Sequence, residues 1–200
     1  MDLPSYVAAL DKRFQSGIAR EHSYRGDLQN LLQALAPDML VTNEPARIAC
    51  GAPDYILTDQ RAGIDIGYIE AKDIGKSLDD KAYNEQFLRY RKSLPNLILT
   101  DYMRFRLYRE GEFVSEVRVA EIKNGRVEAI KGSFDHFRAF IAEFAEHSSQ
   151  TINTAAGLSS KMAGKAKLLA QVIEAAVSSD QLTEENTSLR EQMEAFRSIL

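Results

Sequence analysis

A single cysteine, Cys50, is present in the 200 residues, so no internal disulfide can form. The three histidines, His22, His136 and His147, stand far apart and supply no zinc-like cluster. With neither thiolates nor imidazoles grouped, any metal is expected on carboxylates, which favours magnesium or manganese over zinc. No apolar run reaches the roughly 18 residues of a membrane-spanning helix. The amino-terminal stretch MDLPSYVAALDKRFQ is acidic and amphipathic, where a signal peptide would be basic and then apolar. The expectation is a cytoplasmic protein without membrane contact. There is no Gly-rich phosphate loop followed by Lys and Ser or Thr, because GIDIG and DIGK are too short for one. Nucleotide-dependent chemistry therefore finds no support. Positive charge is not in excess either: 25 Lys and Arg face 29 Asp and Glu, for a net charge of -4. That argues against a generally basic, non-specific nucleic-acid binder and leaves room for a local basic patch.

What is present suffices for one sizeable core and a small helical appendage, with 44% hydrophobic residues and no internal repeat. Residues 5–15 and 21–36 read as two helices. The second carries Leu28, Leu31, Leu32 and Leu35 at helical spacing, and the stripe extends back through Tyr24 to Glu21. After Pro37, the runs MLVTNEPARIAC, DYILT and IGYIEAK read as strands of a meander. Ser77 and Asp80 resemble a capping box that opens a helix over 79–93, with Tyr83, Gln86, Phe87 and Tyr90 as its inward stripe. NLILTD is a continuous apolar run, as in a strand covered on both faces. YMRFRLYRE alternates, with Met103, Phe105 and Leu107 opposite Arg104, Arg106 and Tyr108. EFVSEVRVAEI and RVEAI are expected to pair across Lys123, Asn124 and Gly125. From Ser133 the chain reads as helical, with a polar boundary over 148–157. A heptad-like seam follows, formed by Leu182, Asn186, Leu189, Met193, Phe196 and Leu200.

The stretch GAPDYILTDQRAGIDIGYIEAKDIGK, residues 51–76, carries the chemistry. Side chains alternate along a strand, so Glu70 and Lys72 share a face, and a neighbouring strand brings up Asp54. Two carboxylates in one small volume repel unless a proton or a cation neutralises them. A divalent metal does so and leaves positions for water and a phosphate oxygen. An acid-x-Lys tripeptide alone says little, since about one is expected in a chain of this length. Glu121-Ile122-Lys123 and Asp79-Asp80-Lys81 match it too, at a hairpin turn and in a helix. Only the Asp54 set has Pro53-Asp54 upstream at strand-to-strand distance.

Pro53-Asp54 followed by Glu70-Ala71-Lys72 resembles the active-site motif of the PD-(D/E)XK nuclease superfamily. The resemblance implies Asp54 and Glu70 as magnesium ligands, the carbonyl of Ala71 as a further ligand, and Lys72 as the catalytic lysine. Gln86 and Tyr90, in QFLRY, match the QxxxY element of one subgroup, which implies that they orient Lys72 or the scissile strand, and Glu21 matches an acid that many members contribute from the first core helix, which implies a further metal ligand. REHSYRGDLQNLL, CGAPDYIL, IGYIEAKDIGKSL and QFLRYRKSLPNLILTDYMRFRLYREGE are similar to the amino-terminal nuclease domain of single-polypeptide restriction-modification enzymes. In those a nuclease precedes a helical linker and an adenine-specific DNA methyltransferase. The resemblance covers roughly residues 15–145 and implies an α/β fold, a restriction-endonuclease-like mixed central sheet flanked by helices. It places the nuclease domain at 1–148 and a helical linker at 158–200. No methyltransferase motifs are present, which leaves a fragment of a longer protein or a stand-alone relative.

Plainer readings stand beside these. Asp54, Glu70 and Lys72 also read as a salt-bridge cluster at a sheet end, although Ile56 and Ile69 beside them indicate buried strands. Glu21 also reads as an acid favourable at a helix start, and Gln86 with Tyr90 as core packing. Arg89, Arg91, Lys92, Arg104 and Arg106 fit a phosphate-tracking patch or a solvated charged face. The expected function is Mg²⁺-dependent hydrolysis of double-stranded DNA, with Mn²⁺ able to substitute, in a restriction-modification system. Two copies are expected to pair transiently on DNA, since restriction cuts both strands. The alternative is a catalytically inactive nuclease-like module that binds DNA or scaffolds a partner.

Overall fold

The computed structural model describes residues 1–48 and 50–146, with scattered helical positions from 159 to 173. The chain forms two compact units, residues 1–152 and 153–200. The polar boundary at 148–157 and the heptad-like seam from Leu182 lie outside the described residues. Among the described residues no helix is long and apolar enough to cross a membrane.

Helix α1, Leu3–Gln15, starts where Asp2 accepts a hydrogen bond from the Ser5 N–H at 2.9 Å, with Pro4 in the first turn. It buries Leu3, Tyr6, Val7 and Leu10, one face at helical spacing. Residues 21–36 divide into a 3₁₀ turn, Glu21–Tyr24, and helix α2, Arg25–Leu35. The expected single helix is thus shorter, and Glu21 belongs to the tighter turn that leads into it.

The strands are β1 Met39–Asn43, β2 Tyr55–Asp59, β3 Ile64–Ala71, β4 Asn96–Thr100, β5 Arg104–Arg109 and β6 Glu112–Arg118. They form one six-stranded sheet in sequence order. Every pairing is antiparallel except β3 with β4, which is parallel. A parallel pair needs a crossover, and helix α3, Asn84–Ser93, supplies it. Helix α3 starts later than the expected 79–93. Ser77 accepts from the Asp79 N–H in a turn, while Asp80 caps a short 3₁₀ turn, Lys81–Tyr83, by accepting from the Ala82 N–H. The stretch 39–50 is a strand only to Asn43. Glu44, at φ 50°, and Pro45 end it.

Alternation along the strands gives the sheet two packed faces. Ile69, Ala71, Ile98, Phe105 and Leu107 join the residues of α1, α2 and helix α4, Ser133–Glu146, in the larger core. Tyr68, Leu97, Leu99 and Tyr108 face the other way and pack with Phe87, Tyr90 and Leu94 of the α3 segment. The sheet is therefore covered on both sides, which explains why β4 is buried at every residue.

The region after β6 departs from the expected long hairpin. β6 pairs with β5, and the chain then forms a separate ribbon of β7, Ala120–Lys123, and β8, Arg126–Ala129. Val119, fully buried, sinks into the core between the two ladders. The turn itself is as expected: Asn124 and Gly125 both have positive φ, 49° and 76°, as a tight two-residue hairpin needs.

Candidate active site

Asp54 precedes β2, Glu70 and Ala71 end β3, and Lys72 follows it, so the four residues meet at one end of two paired strands. The Lys72 N–H donates to the Thr100 carbonyl at 2.8 Å, extending the β3–β4 ladder one residue beyond Ala71. The Ala71 N–H donates to Asp54 Oδ2 at 2.7 Å. This bond fixes the carboxylate of one strand against the backbone of the next.

The side chains of Glu70 and Lys72 meet as strand alternation requires: Lys72 Nζ donates to Glu70 Oε1 at 2.6 Å. Gln86 Nε2, from α3, donates to the same oxygen at 2.6 Å. Glu70 Oε2 is buried and has no hydrogen-bond partner. Lys72 Nζ lies 5.2 Å from the Tyr83 ring centre and 5.8 Å from that of Phe87, so aromatic faces help hold the ammonium. Asp54, Glu70 and Lys72 are 7%, 3% and 8% exposed, which makes this a buried charge cluster and not a solvated one.

Burial works against ionisation of both carboxylates. Glu70 is pushed up to about 7, first by burial and then by the negative charge of Asp54, with Lys72 opposing. Asp54 is raised by burial, against the Ala71 N–H and Arg25, which lower it. Asp73 is raised in the same way, by burial and then by Glu21.

Arg25, at the start of α2, is the site residue that sequence reasoning missed. Its Nη2 pairs with Asp54 Oδ1 and, at 3.0 Å, with Glu21 Oε1, while Nη1 reaches Glu44 Oε1 at 2.7 Å. Burial opposes its charge, but Asp54 and the Glu21 hydrogen bond hold its pKa above the ordinary value. A signal existed: Arg25 sits one turn before Leu28 on the inward stripe of α2, where a cation requires a buried partner. Tyr102, equally unforeseen, holds a positive φ of 68° and donates from its hydroxyl to the Glu21 carbonyl at 2.7 Å. Such a backbone is uncommon for a bulky residue. Tyr102 stays there because its own N–H donates to Thr100 Oγ1 and its carbonyl accepts from Tyr6.

The other predicted residues are placed as follows. Glu21 is engaged with Arg25. Tyr90 is buried, with Gln86 beside its hydroxyl, and packs on the backbone of Gly51, where a Cβ would lie 2.7 Å from Tyr90 Oη. Arg89 Nε donates to the Cys50 carbonyl at 2.8 Å and stacks on Tyr90. Lys92 is exposed near the end of α3. Arg91 donates twice to the Gly111 carbonyl. Arg104 pairs with Asp101 at 3.5 Å, and Arg106 with Glu116 and, through two bonds, with Asp79. By register Leu99 lies beside both Glu70 and Arg106, so the two charged residues flank one strand of the sheet.

Among the described residues no three His, Cys, Asp or Glu side chains converge as a metal site. The oxygen-only donor set of Asp54, Glu70 and the Ala71 carbonyl nevertheless suits a hard divalent ion. The unspent Oε2 of Glu70, in a cluster rich in negative charge, is an acceptor that such an ion would satisfy.

No protein-family model and no curated protein sequence matches the chain. Among solved structures, a chain of the cryo-EM structure of the DrdV–DNA complex shares the fold, with a TM-score of 0.56 and 22% identity over 74% of this chain. The match spans 14% of that other chain. The likeness bears out the mixed α/β fold, a six-stranded sheet flanked by helices.

Proposed function

We propose that this chain carries the nuclease site of a DNA-acting restriction-type enzyme and hydrolyses phosphodiester bonds of double-stranded DNA. The observation that carries the reading is the pairing of Asp54 against the end of β3, where Glu70 and Lys72 meet side by side. The fold shared with a chain of a DNA complex supports it.

Asp54, Glu70 and the Ala71 carbonyl would hold Mg²⁺, or Mn²⁺ in its place, which supplies charge stabilisation at phosphorus and makes water a better nucleophile. Lys72, oriented by Glu70, keeps its ammonium beside the reacting phosphate and offsets the negative charge that develops there. Gln86 holds Glu70 Oε1 from the second side, which leaves Oε2 as the oxygen available to an ion. Tyr90 anchors the turn of α3 that presents Gln86. Of the basic residues, Lys92, Arg89, Arg104 and Arg106 would contact DNA phosphates, and for Arg106 this requires exchanging Asp79 for phosphate. In the larger enzyme the segment would precede a helical linker and a methyltransferase, and two copies would pair on DNA to cut both strands.

The test is cleavage of supercoiled plasmid in Mg²⁺ and in Mn²⁺, with EDTA and Lys72→Ala as controls. Metal-dependent nicking or linearisation that disappears in the variant supports the proposal. If the intact chain binds DNA and leaves it uncut under both metals, the module is a DNA-binding scaffold instead.

A further inference from the structure

Arg25 makes more carboxylate contacts than the proposed chemistry uses. It is 7% exposed, and its two terminal nitrogens serve Asp54, Glu21 and Glu44, yet its Nε has no partner. An optimal fork would use Nε as well. The guanidinium is therefore held mainly by the charge around it. Its three partners differ in exposure: the side chain of Asp54 is 9% exposed, that of Glu21 26% and that of Glu44 62%. Its backbone is fixed from behind, because the Tyr55 hydroxyl donates to the Arg25 carbonyl at 3.0 Å.

The charge balance gives these contacts a purpose. With all of them ionised, Asp54, Glu70, Glu21 and Glu44 contribute four negative charges, and Arg25 and Lys72 two positive ones, leaving a formal -2, to which Asp73 beside Glu21 adds. One divalent ion would offset most of this excess. The guanidinium already occupies Asp54 Oδ1, and the Ala71 N–H occupies Oδ2. A divalent ion that approaches Asp54 meets a fixed positive charge within contact distance of the same carboxylate, and the two repel.

We infer that Arg25 is the resident counter-cation of the site: it neutralises Asp54 while no divalent ion is bound, competes with that ion for Asp54, and keeps Glu21 and Glu44 as partners once displaced. The inference rests on the metal-dependent reading above. It makes Arg25 a positioning residue that tunes metal affinity and not a group that touches the reacting atoms.

The experiment is Mn²⁺ binding by calorimetry, with thermal unfolding in the presence and absence of Mn²⁺, on the full 200-residue chain and on Arg25→Gln. Arg25→Gln is expected to bind Mn²⁺ about tenfold more tightly. It is also expected to unfold at a lower temperature without metal and to gain more from saturating Mn²⁺ than the parent does. Arg25→Lys, which keeps the charge but cannot span three carboxylates, is the second variant should the first fail to fold. It is expected to fall between the two in affinity. If the parent binds Mn²⁺ and both folded variants bind it equally or more weakly, the competition is overturned while the metal reading stands. If neither parent nor variants bind Mn²⁺, the metal reading itself fails and the competition fails with it.

Discussion

Gln86 Nε2 donates to Glu70 Oε1 at 2.6 Å, joining the crossover helix to the end of a core strand sixteen positions away in sequence. Lys72 uses the same oxygen. One carboxylate oxygen thus takes two donors while its twin has none, so Gln86 and Lys72 together fix how the carboxylate is turned. Replacing Gln86 by Ala should lower plasmid cleavage by about 10–100-fold, the usual cost of removing such a supporting hydrogen bond. Because Lys72 still pairs with Glu70, the melting temperature should change little. Cleavage and unfolding measured on the same preparation check this.

Lys72→Met should act differently. It removes the cation that holds the Glu70 pKa down, so Glu70 takes up a proton near neutral pH, and at alkaline pH, where it must ionise, the unpaired buried charge costs on the order of 3–5 kcal/mol. Cleavage should be lost together with that stability. A second change, Glu70→Gln, removes the stranded charge and should restore most of the stability with no return of cleavage. Urea unfolding of the single and double variants separates the two effects.

The pH dependence of the metal-free protein follows from Glu70. Burial, then the charge of Asp54, raises its pKa from 4.5 to about 7. The folded chain therefore holds this proton more tightly than the unfolded chain does. Its stabilising contribution is complete below the unfolded value and is lost as pH rises through about 7. Asp54 is shifted in the same direction. In EDTA, stability should fall from about pH 5 to about pH 8, with Glu70 contributing on the order of 3 kcal/mol. Glu70→Gln should flatten the curve, which unfolding across that range would reveal.

Gly51→Ala tests how α3 is seated. Gly51 has φ 140°, and a Cβ there would lie 2.7 Å from Tyr90 Oη and 2.9 Å from its Cε1. Tyr90 is 2% exposed and has nowhere to retreat. A loss of about 1–3 kcal/mol is expected from overpacking and backbone strain together. Cleavage should fall too, because Tyr90 lies one turn along α3 from Gln86. Circular dichroism melts and the plasmid assay read the two consequences.

Much of the site was legible because the sequence states it locally. Period-two alternation put Glu70 beside Lys72, and the apolar run of β4 announced a strand covered on both faces. The stripe of α3 pointed Gln86 and Tyr90 inward. Where the reading slipped, a local signal met a competing one. Ser77 looks like a helix cap, but Asp80 takes the N–H that starts the 3₁₀ turn. The run from Glu112 to Ile122 looks like one strand. It divides at Val119, whose side chain is buried in the core while its N–H donates to the Met103 carbonyl on the β5 side and its carbonyl accepts from the Ile130 N–H on the β8 side, so the chain passes there from one ladder to the other.

By itself, then, the sequence determined which residues repeat with strand or helix period, where turns fall, and that Asp54, Glu70 and Lys72 carry charge next to buried positions. Those are properties of neighbours along the chain. Only the tertiary structure decided that Arg25 neutralises Asp54, that Gln86 reaches Glu70, and that Tyr102 holds a left-handed backbone behind Glu21. Each of these joins separate elements. A buried charge must find its opposite wherever packing brings one near, and no periodicity along the chain encodes that distance.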